Sequence, residues 1–338
     1  MTAVQEWKDL QAMSFQQIIG QERAKTLLQN GLRSGKVSHA YLFSGPKGTG
    51  RLQTAITFTK ALFCENATDD ACGECLSCRK IEHGNHPDVH VISPEGQSIK
   101  IDQVRELQRE FSYRTHAEGR KVYIMEQAET MTVQAANSLL KFLEEPMSPI
   151  VAILITDNGQ AMLPTIQSRS QWVPFTPADP QIIYNALVEE GCSALLARAA
   201  VHLVNGIGEG RELCQQNWFA ELRNVMLQLG KECGTRLSSA LLMAQQKVFK
   251  TELGEHTDML FRLFHLWFRD MLNYQFNRQE NLVFCDQLDA IGRIAWSKSA
   301  QGWIRCMAAA AEAQKRVRAN VSPQLAFEQF LVGVQGGT

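Results

Sequence analysis

The chain has 338 residues, 34 Lys+Arg against 35 Asp+Glu, a formal net charge of -1, 45% hydrophobic residues and 20% charged ones. Such a composition excludes wholesale disorder and fibrous repeats, and the length suits about two or three domains that each bury a core. A charge balance near zero gives no global pull toward nucleic acid or anionic lipid, so any such contact falls to a local patch or a partner chain. The longest charge-free apolar run, residues 150–155, is too short for a membrane span of about 20 residues. Met1 to Asp9 carries acids and no apolar stretch, unlike a secretory signal. Nine cysteines in such a chain point to a reducing cytoplasm. Cys192, Cys214, Cys233, Cys285 and Cys306 are scattered and read as small buried hydrophobes. The other four cluster.

Strand and helix signals alternate from about residue 40 to 175. Ala40, Tyr41, Leu42 and Phe43 predict a short buried strand, followed by a glycine turn from Gly45 to Gly50 and a helix reaching about Cys64. Residues 89–92 form a second strand signal. Ile101, Val104, Leu107 and Phe111 have helical spacing, with Asp102 placed as N-cap. Residues 122–125 read as a third strand. Ala136, Leu139, Leu140 and Leu143 predict a helix capped by Thr132 and stopped by Pro146. Residues 150–155 and 171–173 read as fourth and fifth strands. Strands separated by helices imply parallel pairing in an α/β sheet covered on both faces. Beyond Pro180 the pattern is helical: two or three small helices to about Cys214 with a turn at Gly206, Gly208 and Gly210, then longer ones. Leu260, Leu263, Phe264, Trp267, Phe268 and Met271 make one apolar stripe, which reads as core. Ser322-Pro323 is a good helix start.

Gly45-Pro46-Lys47-Gly48-Thr49-Gly50-Arg51-Leu52 sits between the first strand and its helix, where a phosphate-binding loop belongs. The pattern G-x-x-x-x-G-K-[ST] keeps both glycines, Gly45 and Gly50, with Gly48 between them. Arg51 stands at the lysine position and Leu52 at the hydroxyl position. Arginine keeps the charge but not the compact ammonium, and leucine has no oxygen for Mg²⁺. At the end of the third strand, where an Asp-Glu pair would hold metal-bound water and orient the attacking one, Glu126-Gln127 stands instead. Glu126 is one methylene longer than aspartate, and Gln127 cannot act as a base. The loop is either a decayed site that has lost hydrolysis or a plain glycine turn, and nucleotide binding stays open.

Cys64, Cys72, Cys75 and Cys78 have the spacing C-x7-C-x2-C-x2-C. Four thiolates complete a tetrahedral Zn²⁺ shell, and a closed shell is structural, not catalytic. The x2 spacing also resembles part of an iron–sulfur pattern, although no cysteine follows Cys78 at the expected interval. His83, His86 and His90 lie downstream as spare donors.

Three segments carry a resemblance: Phe15 to Glu22, His39 to Gly45, and Ala135-Ala136-Asn137-Ser138-Leu139-Leu140-Lys141-Phe142-Leu143-Glu144-Glu145-Pro146. With the cysteine insertion and Thr165-Ile166-Gln167-Ser168-Arg169-Ser170, they resemble the AAA+ clamp-loader family of bacterial DNA polymerase III. Ser170 replaces the cysteine of the family's Ser-Arg-Cys motif. Asn320, Leu325 and Glu328 fit a C-terminal helix of the same family. The resemblance implies an AAA+ α/β domain over 1–177 with a zinc knuckle at about 64–82, a small helical lid over 178–215 and a helical C-terminal oligomerisation domain over 216–338. It implies a hetero-oligomer with motor (gamma/tau) and delta subunits, acting on a sliding clamp and primed DNA, with no membrane partner. Within the family the motor keeps lysine, threonine, aspartate and glutamate in its nucleotide site. The altered loop here resembles the branch without a working site, so no catalysis is expected from this chain alone. By the same resemblance Arg169 is an arginine finger that reaches a neighbour's γ-phosphate, a contribution of about 10³–10⁵ in rate. Thr156, ending the fourth strand, holds a sensor-like place or caps the strand end. Two rival functions stay open: an active ATPase with an unusual Arg51/Glu126 site, and a zinc-dependent nucleic-acid-binding module.

Overall fold

A computed structural model describes residues 14–112, 120–144, 149–233 and 237–335. The chain divides into two compact units, Met1–Ile182 and Ile183–Thr338.

In chain order the first unit holds α1 (Glu22–Arg33), β1 (Ala40–Ser44), α2 (Arg51–Phe63), α3 (Leu76–Glu82), β2 (Val89–Ile92), α4 (Ile101–Ser112), β3 (Lys121–Met125), α5 (Val133–Glu144), β4 (Ile150–Thr156), α6 (Pro164–Arg169) and β5 (Gln171–Pro174). All five strands are parallel, in the order β2-β3-β4-β1-β5. The strand alternation divides the core in two. Tyr41, Phe43, Val122, Ile124, Val151 and Ile153 face one layer with Leu28 and Phe58. Leu42, Tyr123, Met125, Ala152 and Leu154 face the other with Val104, Leu107 and Leu139. A parallel sheet buried on both faces explains why β4 reads as an unbroken apolar run.

Local details sharpen the sequence reading. The helix after β2 begins at Ile101, so Asp102 lies in its first turn and is not the N-cap. The Gln103 side chain does the capping by accepting from the Lys100 N–H at 2.9 Å. Thr132 Oγ1 does cap α5, accepting from the Ala135 N–H at 3.2 Å. Pro146 lies outside the described residues, as do Met1 to Asp9.

The second unit is helical: α7 (Pro180–Glu189), α8 (Ala194–Ala200), α9 (Ile207–Gln215), α10 (Asn217–Glu232), α11 (Leu237–Ala244), α12 (Thr257–Gln275), α13 (Leu288–Ile294), α14 (Ala300–Arg318) and α15 (Pro323–Gln335). Gly206 is the N-cap of α9, while Gly208 and Gly210 lie inside the helix, not in a turn. Gly210 is where a Cβ would press to 3.0 Å from Leu187, so small size there serves helix packing. The α12 stripe is core: Leu260, Leu263, Phe264, Trp267, Phe268 and Met271 are all buried with Phe327 and Phe330 of α15. Asp270 is fully buried on α12, and its carboxylate accepts the N–H groups of Val283 and Phe284 at 2.8–3.1 Å. Burial dominates over these bonds and raises its pKa to about 6. Of the scattered cysteines, Cys233 and Cys306 are buried, Cys192 and Cys214 half-buried, and Cys285 is exposed, against the expectation of uniform burial. None of the helices is long and apolar enough to cross a membrane, among the described residues.

Candidate functional site

The strand order brings the loop-bearing end of β1 beside the end of β4, with the end of β3 next along. The Gly45 N–H donates to the Thr156 carbonyl at 3.2 Å. A Cβ at Gly45 would stand 2.2 Å from the Phe175 carbonyl oxygen, so only glycine fits between β1 and the exit of β5. Gly48 and Gly50 have φ of 86° and 80°, the left-handed turn that launches α2. Thr54 binds back to the Gly50 carbonyl through both its N–H (2.9 Å) and its hydroxyl (2.8 Å), which fixes the first turn of α2.

Arg51 opens α2 and is 8% exposed. Its Nη2 donates to Oδ1 of Asp157, the residue directly after β4. Its Nη1 is buried with no hydrogen-bond partner among the described residues. The Asp157 N–H in turn donates to Glu129 Oε1 at 3.1 Å, and Glu129 Oε2 is buried without a partner. Sequence reasoning missed both acids as members of this site. The available signal was an acidic residue one position beyond the strand that flanks the loop strand.

Glu126 accepts from the Ser93 hydroxyl at 3.3 Å, a contact toward the end of β2. Gln127 is exposed, in a left-handed conformation with φ of 49°. The Thr156 side chain is buried, and its hydroxyl accepts the Asn158 N–H at 3.2 Å, a strand-end cap.

Arg169 is the last residue of α6, and its Nη1 donates to the Thr165 carbonyl at 3.2 Å. It precedes β5, whose Gln171 pairs with Tyr41. Gly45 lies four residues further along β1, so roughly 13 Å of strand separates Arg169's end of the sheet from the loop's end. Arg169 thus stands at the end of the sheet opposite the loop.

The four cluster cysteines converge, their sulfurs all within 4.8 Å of one another. Cys72 and Cys78 Sγ are 3.9 Å apart. Four sulfurs at about 2.3 Å from one tetrahedral ion stand about 3.8 Å apart, so the set fits a single Zn²⁺ and leaves no room for several irons. The Cys75 N–H donates to Cys72 Sγ at 3.3 Å and the Cys78 N–H to Cys75 Sγ at 3.4 Å. Bonds from the Cys75 and Glu74 backbone lower the Cys72 pKa to about 6, whereas burial pushes the Cys78 thiol up. His86 stacks on Phe63 with ring centroids 4.5 Å apart and is not among the four. The cluster is tied to the sheet domain. Asp70 Oδ1 accepts the Phe15 N–H at 2.8 Å, Asp69 pairs with Arg33 at 2.6 Å, and fully buried Lys60 reaches Glu82 at 3.1 Å.

A family model described as "DNA polymerase III, delta subunit" matches residues 20–179. The chain is 36% identical over 334 residues to DNA polymerase III subunit delta' of Bacillus subtilis (strain 168), covering 98% of this chain and 99% of that one. It is 40% identical over 165 residues to subunit delta' of Pseudomonas aeruginosa, covering 47% and 50%. Subunit tau of Bacillus subtilis is 36% identical over 197 residues, which span 55% of this chain and 35% of tau. Identity to one delta' subunit spans nearly the whole of both chains, while identity to tau spans about half of this chain and a third of tau. The chain belongs to the delta' subunits of DNA polymerase III.

Proposed function

We propose that this chain is an ATPase-deficient subunit of a replicative clamp loader. In that complex it helps place a sliding clamp on primed DNA and lends Arg169 to the nucleotide site of a neighbouring motor subunit. The pairing of Arg51 with Asp157 carries the reading. The cation at the lysine position is committed to an internal carboxylate, Leu52 offers no oxygen for Mg²⁺, and Gln127 offers no base. The loop keeps the shape of a phosphate site without the chemistry of hydrolysis. The place of Arg169, at the end of the sheet opposite the loop, supports a role in trans.

The partners this reading calls for are motor (gamma/tau) and delta subunits in a cytoplasmic hetero-oligomer. Cys64, Cys72, Cys75 and Cys78 would hold one Zn²⁺ as a structural staple. Their surroundings favour this over a nucleic-acid module, because Asp69 and Asp70 beside them bind Arg33 and the Phe15 backbone of the same chain. The helical unit would divide into a lid over 178–215 and an oligomerisation domain over 216–338. Thr156 would act as a sensor only by giving up its cap on Asn158.

Reconstitution with tau and delta subunits tests the reading. Arg169→Ala should leave the complex assembled while clamp- and DNA-stimulated hydrolysis by the motor falls. Undiminished hydrolysis in an intact complex removes the arginine-finger role. Robust ATP turnover by the isolated chain, abolished by Arg51→Ala, would replace the whole reading with that of an active ATPase.

A further inference from the structure

A phosphate loop works by presenting a helix N-terminus and one cation to an anionic ligand. Here the helix is thirteen residues long and its first residue is the cation, nine-tenths buried. One face of that guanidinium is taken: Nη2 lies on Asp157 Oδ1. The other nitrogen, Nη1, is buried and has no acceptor. A buried guanidinium N–H left unpaired is costly, and an anion is the group that would satisfy it. Yet a phosphate chain arriving at Arg51 meets a carboxylate that already neutralises that guanidinium. Asp157 is held there by its backbone, because its N–H is anchored on Glu129 Oε1 and the segment after β3 thereby fixes the turn after β4. The Asp157 side chain is 53% exposed against 8% for Arg51, so the acid is the solvent-facing member of the pair.

The geometry points to Asp157 as a built-in counter-anion that closes the loop to phosphate chains. The inference rests on reading Gly45 to Arg51 as an inherited phosphate loop. It adds that Leu52 and Gln127 account for lost hydrolysis, whereas Asp157 accounts for lost binding. Those two losses are separable. Taking away the charge of Asp157 should return anion binding without returning turnover, since no oxygen reaches a metal at position 52.

The test is calorimetric titration of the full-length chain at low ionic strength with inorganic tripolyphosphate, with ADP and with adenosine. Asp157→Asn keeps the size and the backbone N–H while removing the charge. It should bind tripolyphosphate at least about tenfold more tightly than the parent chain, as expected for lifting one like charge a few ångströms from the ligand. The double variant Arg51→Met with Asp157→Asn should lose that gain, which a merely structural ion pair would not predict. Gain for ADP and tripolyphosphate but not adenosine identifies the phosphate chain as the ligand. An Asp157→Asn chain that binds no better than the parent overturns the inference, and so does a gain that survives in the double variant. Asp157→Ser repeats the comparison should the asparagine variant fold poorly. ATP turnover by the parent chain is measured alongside. Turnover there sinks the functional reading itself, whereas an inert parent with an inert Asp157→Asn sinks only the role of Asp157.

Discussion

The cysteine insertion and the glycine loop lie at the two ends of one helix, α2, and they have kept different things. At the cysteine end the ligands and their geometry agree: four sulfurs named by spacing stand together at single-ion distances. At the loop end the backbone is retained while the side chains are reassigned, and Arg51 faces Asp157. That backbone shape has a use apart from any ligand, because Gly45 is also required by the Phe175 carbonyl. A metal shell has no such second use, so its persistence as a complete set is the stronger sign of an occupied site.

The largest expected effect tests the cysteine end. Replacing Cys72 and Cys75 by serine should reduce zinc from about one per chain to none by elemental analysis. It should also cost on the order of 5 kcal/mol in unfolding free energy, because metal binding supplies the folding energy of so small a knuckle. Retained zinc with unchanged stability would put the two ends of α2 on the same footing. Next comes Arg169→Ala, for which single-turnover hydrolysis in the reconstituted complex should fall by about 10³-fold. A drop below tenfold with full assembly would mean that the sheet's second end does no catalytic work.

A third experiment asks whether a buried acid held chiefly by backbone amides behaves differently from Asp157. Asp270 is fully buried and held by two amides, with its pKa raised to about 6 against 3.8 in an unfolded chain. Between those values the folded state binds the proton more tightly, so stability falls as pH rises from about 4 to 6 and is level above. Relative to Asp270→Asn, the parent should lose roughly 2–3 kcal/mol across that window. Urea unfolding at several pH values reads this directly, and a pH-independent difference would show that Asp270 is ionised throughout. The smallest effect concerns the knuckle's seating. Asp70→Ala, which leaves the Phe15 N–H without its acceptor, should cost about 1–2 kcal/mol in thermal or urea unfolding while zinc stays bound.

Much of the architecture was legible because apolar runs and glycine turns are local signals. The five strands fall within a residue or so of the periodicity, and the α12 stripe is buried as its spacing implies. The convergence of the four cysteines was equally legible, since four residues of one type within fifteen positions have few other uses. What escaped was what depends on tertiary closure. The Arg51–Asp157 pair joins residues 106 apart, and no local pattern announces that β4 lies beside β1. Asp102 misled for a milder reason: a capping residue type also suits the first turn of a helix, and Gln103 satisfied the Lys100 N–H instead. Gly208 and Gly210 look like turn formers, yet the helix tolerates them because Gly210 must clear Leu187.

The distance between Arg169 and the loop has one more consequence. Were Arg169 to act in trans as proposed, a subunit that gives a catalytic group and takes none would be vectorial, and identical copies could not hand that group around a closed circle. Such a subunit would then belong at the start of a row, which would give an assembly of related chains a first position without any external marker.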